Sequence, residues 1–479
     1  MRAFFRIAWW SALACLPLLV GGCARQAAPA PGILLVVVDA MRADHLGCYG
    51  YSRSTSPTID DLAAEGVVFE SAISQASFSG PSYATILTGM SPQQHGVRDH
   101  PRVLSEEVET LAEVARRGGM RTGGFVAHSF LDPKWNYSQG FQDFRRIAPP
   151  EGVGQHAGLG PDVVDAAIAW LKDISHEQPF LLWVQLQEPH IPYNPPPPYD
   201  TLFGREPAGY RLMHDILERR VRRSRVMFSF REMGYSDSDL AHTIRLYDGE
   251  IAYADAQLGR LMDALRASGR FDTTLIAVTS DHGESLGEHE IYFNHDMPLY
   301  DPVIRVPWVM RYPLRLPENT HVAAQVRLMD LAPTLLDLVG LRAPEGAGGR
   351  SARAIIEGKE GSRIAFSENQ PYKKERKDYP HYRLTVPGLA GKWRSVRTED
   401  AKLILIPTAA GATEELYDLH ADPAELQNLI DQRPELAKKM RALLREHLQK
   451  DKGLTQGQPD EEPQDEETLE QLRSLGYLG

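Results

Sequence analysis

Six apolar residues in a row, Ile33 to Val38, run straight into an aspartate, Asp39. No other feature restricts the fold of this chain as much. Four of the six are β-branched, which suits an extended backbone. A run with no polar face has to be covered on both sides, as in a central strand of a parallel sheet. A second segment of the same form, TLIAVTSDHG, Thr274 to Gly283, carries Asp281 and His282 at its end. Between the two, apolar runs at Thr122–Ala127 and Phe180–Leu186 alternate with helical periodicity at Ser105–Arg117, Pro161–Ile174 and Ser236–Ser268. That alternation gives the fold class α/β, a sandwich with a central, mostly parallel sheet flanked by helices. Ligands of such sheets bind beyond the carboxyl ends of the strands. Asp39, Asp281 and His282 therefore stand where a site is expected.

A chain of 479 residues, 42% hydrophobic, can bury one large domain and a smaller one. Its net charge of −12 argues against nucleic acid as a partner. An anionic substrate has to be drawn by local cations or a metal. Residues 1–22 read as a targeting segment: Arg2 and Arg6, then the apolar run Ile7–Val20, too short to span a membrane comfortably. LVGGC resembles a bacterial lipoprotein box, with Cys23 as the lipidated first residue of the mature chain; a plain secretory peptide is the alternative. The expected location is the bacterial cell envelope, on the periplasmic side and attached to the outer membrane. Residues 23–32 read as a tether. Only Cys48 then remains, so no internal disulfide can form. Residues 33–370 are assigned to the catalytic domain. Residues 371–450 form a small C-terminal α+β subdomain, with a hairpin over Trp393–Thr408 turning at Thr398–Lys402 and a helix over Pro434–Gln449. Residues 451–479 read as an acidic flexible tail with an apolar end.

The chemistry starts at SFSGPSYATILTGMSPQQHGV, Ser77 to Val97. Pro81 marks a first helical turn, with Ser79 just before it. The free N–H groups and positive dipole end would point back at Ser79 and at any anion bound there. That suits an oxygen nucleophile attacking a phosphate or sulfate ester; an ordinary Ser/Gly cap is the alternative. Asp39, Asp281 and His282, with an oxygen of residue 79, would make an open site for one divalent cation. Such an ion polarises an ester oxyanion and lowers the pKa of the attacking oxygen. Four histidines lie just past strand ends. His190 is in the proline-rich loop QLQEPHIPYNPPPPY, a poor place for a buried structural role. His289 and His295 are in GEHEIYFNHD, with His295 the stronger candidate, and His128 follows the strand end FVA. Imidazoles there can protonate a leaving group or hold an oxyanion. In YDGEIAYADAQLGRL, Asp248 and Glu250 read as solvated charges on a long amphipathic helix. The insertion Tyr199–Ser238 reads as a cleft wall, or as a solvated helical excursion.

Seven segments together resemble the sulfatase family, within the alkaline-phosphatase-like superfamily. They are LLVVVDAMRADHLGCYGY, SPTIDDLAAEGVVFESAIS, SGPSYATILTGMSPQQHGV, EPHIPYNPPPPY, YDGEIAYADAQLGRL, TSDHGESLGEHEIYFNHDMPLYDPVIRVPWVM and ELYDLHADPAELQNLI. They run in the family's order from about Ile33 to the C-terminus. The resemblance implies an alkaline-phosphatase-like sandwich that hydrolyses sulfuric esters. It also implies Asp39, Asp281 and His282 as metal ligands, with residue 79 as nucleophile and fourth ligand. His190 and His295 would contact the ester and leaving group, and His128 would lie near a substrate-binding cation. The implied cofactor is one divalent ion, Ca2+ first, with Mg2+, Mn2+ or Zn2+ as alternatives. The implied partner is a sulfated or phosphorylated small molecule or glycan.

The chain also departs from that family. Most members carry Cys, less often Ser, before x-P-S-R, and oxidise it to formylglycine, whose hydrate attacks sulfur. Here the motif is Ser79-Gly-Pro-Ser-Tyr83, with tyrosine in place of the arginine, and Ala40 replaces a second aspartate. Asp281–His282 resembles phosphonate and phosphodiester hydrolases as much as arylsulfatases. Two routes stay open: formylglycine at position 79 acting on sulfate, or unmodified Ser79 acting in a phosphodiesterase, phosphonate monoester hydrolase or phospho-group transferase. A third reading, of another class, is a catalytically silent anion-binding lipoprotein.

Overall fold

The structure, a computed structural model, describes residues 30–99, 102–149, 158–218, 220–221, 223–369, 392–408 and 411–450. The expected signal segment 1–22, Cys23, most of the expected tether and the expected tail 451–479 lie outside the described residues.

Eight strands make the central sheet: β1 (Gly32–Val38), β2 (Val67–Phe69), β3 (Arg121–Val126), β4 (Asp143–Arg146), β5 (Phe180–Leu186), β6 (Thr274–Thr279), β7 (Trp308–Arg311) and β8 (Thr320–Val322). Their order is β8-β2-β7-β6-β1-β5-β3-β4. Every neighbouring pair is parallel except those made by β7, which runs antiparallel to β6 and β2. The apolar run of β1 works as its composition predicts. Leu34, Val36 and Val38 face one core and Ile33, Leu35 and Val37 the other, all at most 2% exposed. The first core is covered by α1 (Pro57–Ala64), α4 (Gly160–Asp173) and α5 (Asp237–Ala267). The second is covered by α2 (Ser79–Thr88), α3 (Leu111–Arg117) and α6 (Leu331–Leu338).

Local signals explain where the expected helices end. Ser236 caps α5 through a capping box with Asp239. α3 starts at Leu111 rather than Ser105, because Thr110 and Glu113 form a capping box there. α2 starts two residues earlier than Pro81 implies. Its cap is Phe78, in extended backbone and with no side-chain cap bond, so Ser79 is inside the first turn rather than an ordinary serine cap.

Two expectations about polar surface need correction. Asp248 is fully buried, paired with His45 Nδ1 at 2.7 Å, with Arg53 and with the Tyr51 hydroxyl. Glu250 is buried too and accepts a hydrogen bond from Asn194 N–H at 2.7 Å. Burial, and Glu188 nearby, push its carboxyl up to about 8. Neither is a solvated charge, because segments that precede the helix in sequence, around His45–Arg53 and Glu188–Asn194, cover that side. The insertion is not a solvated excursion either: Phe230 is fully buried and stacks on Tyr292 at 4.4 Å.

The second, smaller sheet is antiparallel, with β9 (Ala365–Glu368), β10 (Arg394–Arg397), β11 (Ala401–Thr408) and β12 (Gly411–Asp418) in chain order. β10 and β11 form a hairpin closed by Thr398 N–H on Ala401 O at 2.9 Å. α7 (Pro434–Lys450) packs on it through Ala437, Met440 and Leu444. A buried ion cluster fastens this sheet to the segment that joins β6 to β7. Lys402 Nζ meets Asp301 at 2.5 Å and Glu425 at 2.6 Å, and Arg397 holds Asp301 with two nitrogens.

Candidate active site

Asp39 follows β1 directly and extends its ladder, its N–H donating to Leu186 O at 2.9 Å. The chain then turns through Ala40, whose φ of 55° is left-handed and costs a non-glycine residue about 1 kcal/mol. Tyr247 holds that turn. Its hydroxyl donates to Ala40 O at 2.8 Å and accepts from Arg42 N–H at 2.9 Å. Asp281 lies two residues beyond β6. Its carbonyl accepts from the hydroxyls of Ser74 and Ser82, at 2.7 and 2.6 Å. Ser82 belongs to α2, so the strand end carrying Asp281 is tied to the helix carrying Ser79.

The four groups converge without exposure to solvent. Ligand atoms of Asp39, Asp281 and His282 all lie within 4.8 Å of one another. His282 Nε2 is 3.2 Å from Ser79 Oγ, 3.3 Å from Asp281 Oδ2 and 3.9 Å from Asp39 Oδ1. His282 Nδ1 lies 2.8 Å from Gly283 O, so it carries the ring proton and Nε2 presents its lone pair inward. Asp281 Oδ1 accepts the N–H groups of Ala40 and His282, at 3.2 and 2.9 Å. Asp281 Oδ2 accepts no hydrogen bond among the described residues. Two buried carboxylates, an inward lone pair and a hydroxyl are costly to desolvate together. As a donor set they fit a divalent cation.

The histidines form an arc beside this centre. His295 stacks on His282 at 4.2 Å, His190 lies 5.2 Å from His295, and His128 lies 6.1 Å from His190, all ring to ring. His190 is only 4% exposed, so its proline-rich loop does bury it. His295 Nδ1 is 3.2 Å from Glu284 Oε1, and Glu284 Oε2 accepts from the Tyr193 hydroxyl at 3.2 Å. His128 Nδ1 accepts from Phe130 N–H at 3.1 Å, leaving its proton on Nε2, 3.7 Å from Asp39 Oδ2. Burial, then His282 and Arg146, lower His128 to about 3, so it is a neutral donor rather than a cation. His289 stacks on Tyr300 at 3.5 Å. Tyr83, one turn after Ser79, brings its hydroxyl to 3.5 Å from Asp39 Oδ2.

Comparison with known proteins gives the family of the chain. Residues 31–341 match the sequence model of the sulfatase family, and residues 287–452 that described as N-sulphoglucosamine sulphohydrolase, C-terminal. The chain belongs to the sulfatase family. N-acetylglucosamine-6-O-sulfatase of Bacteroides thetaiotaomicron is 25% identical over 90% of this chain and 88% of its own. A solved structure bound to its substrate D-glucosamine-2-N,6-O-disulfate superposes with TM-score 0.73 at 22% identity, over 91% of this chain and 100% of the other. The phosphonate monoester hydrolase of Agrobacterium radiobacter reaches TM-score 0.68 at 25% identity, over 87% and 96%. The protein is thus a sulfatase-family hydrolase.

Within this sulfatase-family site, sequence reasoning missed the groups that brace it. Glu284 and Tyr83 had a signal: one follows Asp281 by three residues, and the other lies i+4 from Ser79. Tyr247 had none, coming from a helix two hundred residues away in sequence. Nor had Gln185, whose Oε1 accepts the N–H groups of Ala127 and His128, both at 2.9 Å.

Proposed function

We propose that this protein hydrolyses sulfuric esters of a glycan or small molecule, with the residue at position 79 as nucleophile. The observation that carries this is the convergence of Ser79 Oγ, His282 Nε2 and the Asp39 and Asp281 carboxylates in a sulfatase-family fold. Asp39, Asp281, His282 and residue 79 would hold one divalent cation, with Ca2+ the first candidate and Mg2+, Mn2+ and Zn2+ the others. When bound, the ion supplies electrophilic catalysis by favouring the ionised nucleophile and countering charge on the ester. The first turn of α2 adds N–H groups facing the same anion. His190 and His295 face the leaving group. We assign its protonation to His295 Nε2, since Glu284 holds the other ring nitrogen.

Sulfate turnover needs an aldehyde at position 79. A formylglycine hydrate attacks sulfur through one hydroxyl and displaces the ester's alcohol. Deprotonation of the second hydroxyl then expels sulfate and restores the carbonyl. A sulfated serine has no such exit. A second reading therefore keeps serine unmodified and moves the substrate to phosphonates or phosphodiesters, where water can hydrolyse the covalent intermediate. The likeness to a phosphonate monoester hydrolase and the tyrosine at position 83 favour it. The N-terminal segment supports a lipid anchor at Cys23 in the bacterial envelope, an assignment a mass measurement of the mature N-terminus tests.

The functional test compares kcat/KM for N-acetylglucosamine-6-sulfate and an aryl sulfate with that for a phenylphosphonate monoester and a bis-aryl phosphate. Faster turnover of a sulfate supports the first reading. Turnover of phosphorus esters alone establishes the second. A protein that turns over none of them and takes up no stoichiometric cation is a silent binder.

A further inference from the structure

Ser79 and Tyr83 are separated by one helical turn, and i,i+4 spacing puts both on one face of α2. Tyr83 is fully buried, packed near Trp183 and His128 with ring centroids at 6.0 and 6.2 Å. Its hydroxyl lies between two carboxylates, with Asp39 Oδ2 at 3.5 Å and Asp281 the stronger electrostatic neighbour, beside Gln185, and His128 Nε2 approaches Asp39 Oδ2 at 3.7 Å. Both groups carry a proton and neither carries charge: His128 keeps its proton on Nε2 because Nδ1 accepts from Phe130 N–H. The two oxygens of Asp39 therefore meet different surroundings. Oδ2 is turned toward neutral donors, and Oδ1 lies 3.9 Å from His282 Nε2, on the side of Ser79.

We propose that Tyr83 is a positioning residue of the cation centre, whose O–H, lying between the Asp39 and Asp281 carboxylates, orients them toward the ion. The inference rests on the cation reading above. A neutral donor is suited to this task. It orients a carboxylate without discharging it, whereas a guanidinium or ammonium at the same place would offset the negative charge the ion needs. Outer groups that orient ligating side chains typically change metal affinity ten- to a hundredfold, roughly, when removed. Because Tyr83 shares its helix with the nucleophile, it also fixes the ligand relative to the oxygen that attacks.

The test titrates metal-free, full-length protein with Ca2+, and separately with Mn2+, by calorimetry, for wild type and Tyr83→Phe. The ring and its packing survive in the variant and only the hydroxyl is lost. The expected result is a Kd raised about tenfold or more, with the melting curve of the metal-free protein unchanged. A wild-type Kd in the variant overturns the proposal. So does a raised Kd accompanied by a matching loss of metal-free stability, which marks a packing residue instead. Wild-type protein that takes up neither ion overturns the cation reading, and this inference with it, before the variant is measured.

Discussion

Ser79 Oγ lies 3.2 Å from a ring nitrogen whose lone pair faces it, and it is fully buried in the first turn of a helix. Removing one oxygen from so small a side chain leaves the packing intact. Ser79→Ala is expected to keep its melting temperature and lose at least about a thousandfold in kcat, read on whichever ester the wild type turns over. Glu284 acts at one remove, through His295 Nδ1. Glu284→Gln still accepts a hydrogen bond but no longer stabilises the imidazolium, so kcat should fall about ten- to a hundredfold with KM little changed. At this scale the sequence carried the groups that end strands. Asp39, Asp281, His282 and the histidines at 128 and 190 lie together because strand ends of the central sheet share an edge, and Ser79 from α2 and His295 from beyond a short two-stranded sheet join them. The bracing groups were hidden, because Tyr247 and Gln185 reach the site only through the packing of distant elements.

The long helix α5 shows why polar periodicity can mislead. Tyr247 to Leu261 has charges where a surface helix should have them, yet Asp248 and Glu250 are buried because other chain segments cover that side. Asp248 is matched by Arg53 and His45, whereas Glu250 faces Glu188, another carboxyl that burial raises. Glu250 in the folded protein titrates at about 8, above the ordinary carboxylate value of 4.5. Between those values the folded state keeps a proton that the unfolded chain has lost. Stability must therefore fall as pH rises through this window and level off above it. Glu250→Gln preserves the acceptor for Asn194 and removes the titration. Its unfolding free energy should vary less between pH 5 and pH 8 than that of wild type, and it should be the more stable of the two at pH 8. Denaturant unfolding at both values checks this, and an unchanged pH slope counts against it.

At the scale of the whole molecule, buried charge fastens the four-stranded sheet to the segment between β6 and β7. Lys402, fully buried on β11, joins Asp301 and Glu425, and Arg397 joins Asp301 from β10. Asp301 lies six residues after His295, so the cluster braces the segment that carries the site's last histidine. Lys402→Met leaves Glu425 buried without its cation, while Arg397 still holds Asp301, and should cost about 3–5 kcal/mol, measured by denaturant unfolding. A substitution that costs under about 1 kcal/mol would mean the cluster is solvated. The large sheet was legible at this scale because β1 is apolar throughout and β5 and β6 nearly so, Gln185, Thr274 and Thr279 being the exceptions. The antiparallel β7 was not, because a strand's direction is decided by how its connections close.

The most direct test of the sulfuric ester reading is the mass of the tryptic peptide Ser54–Arg98, from protein purified out of its own host. Arg53 and Arg98 bound it, and no other lysine or arginine interrupts it. The account predicts a peptide lighter than the unmodified sequence by two hydrogen atoms, the change from serine to formylglycine at position 79. A peptide with the mass of plain serine contradicts it and transfers the assignment to phosphonate and phosphodiester substrates.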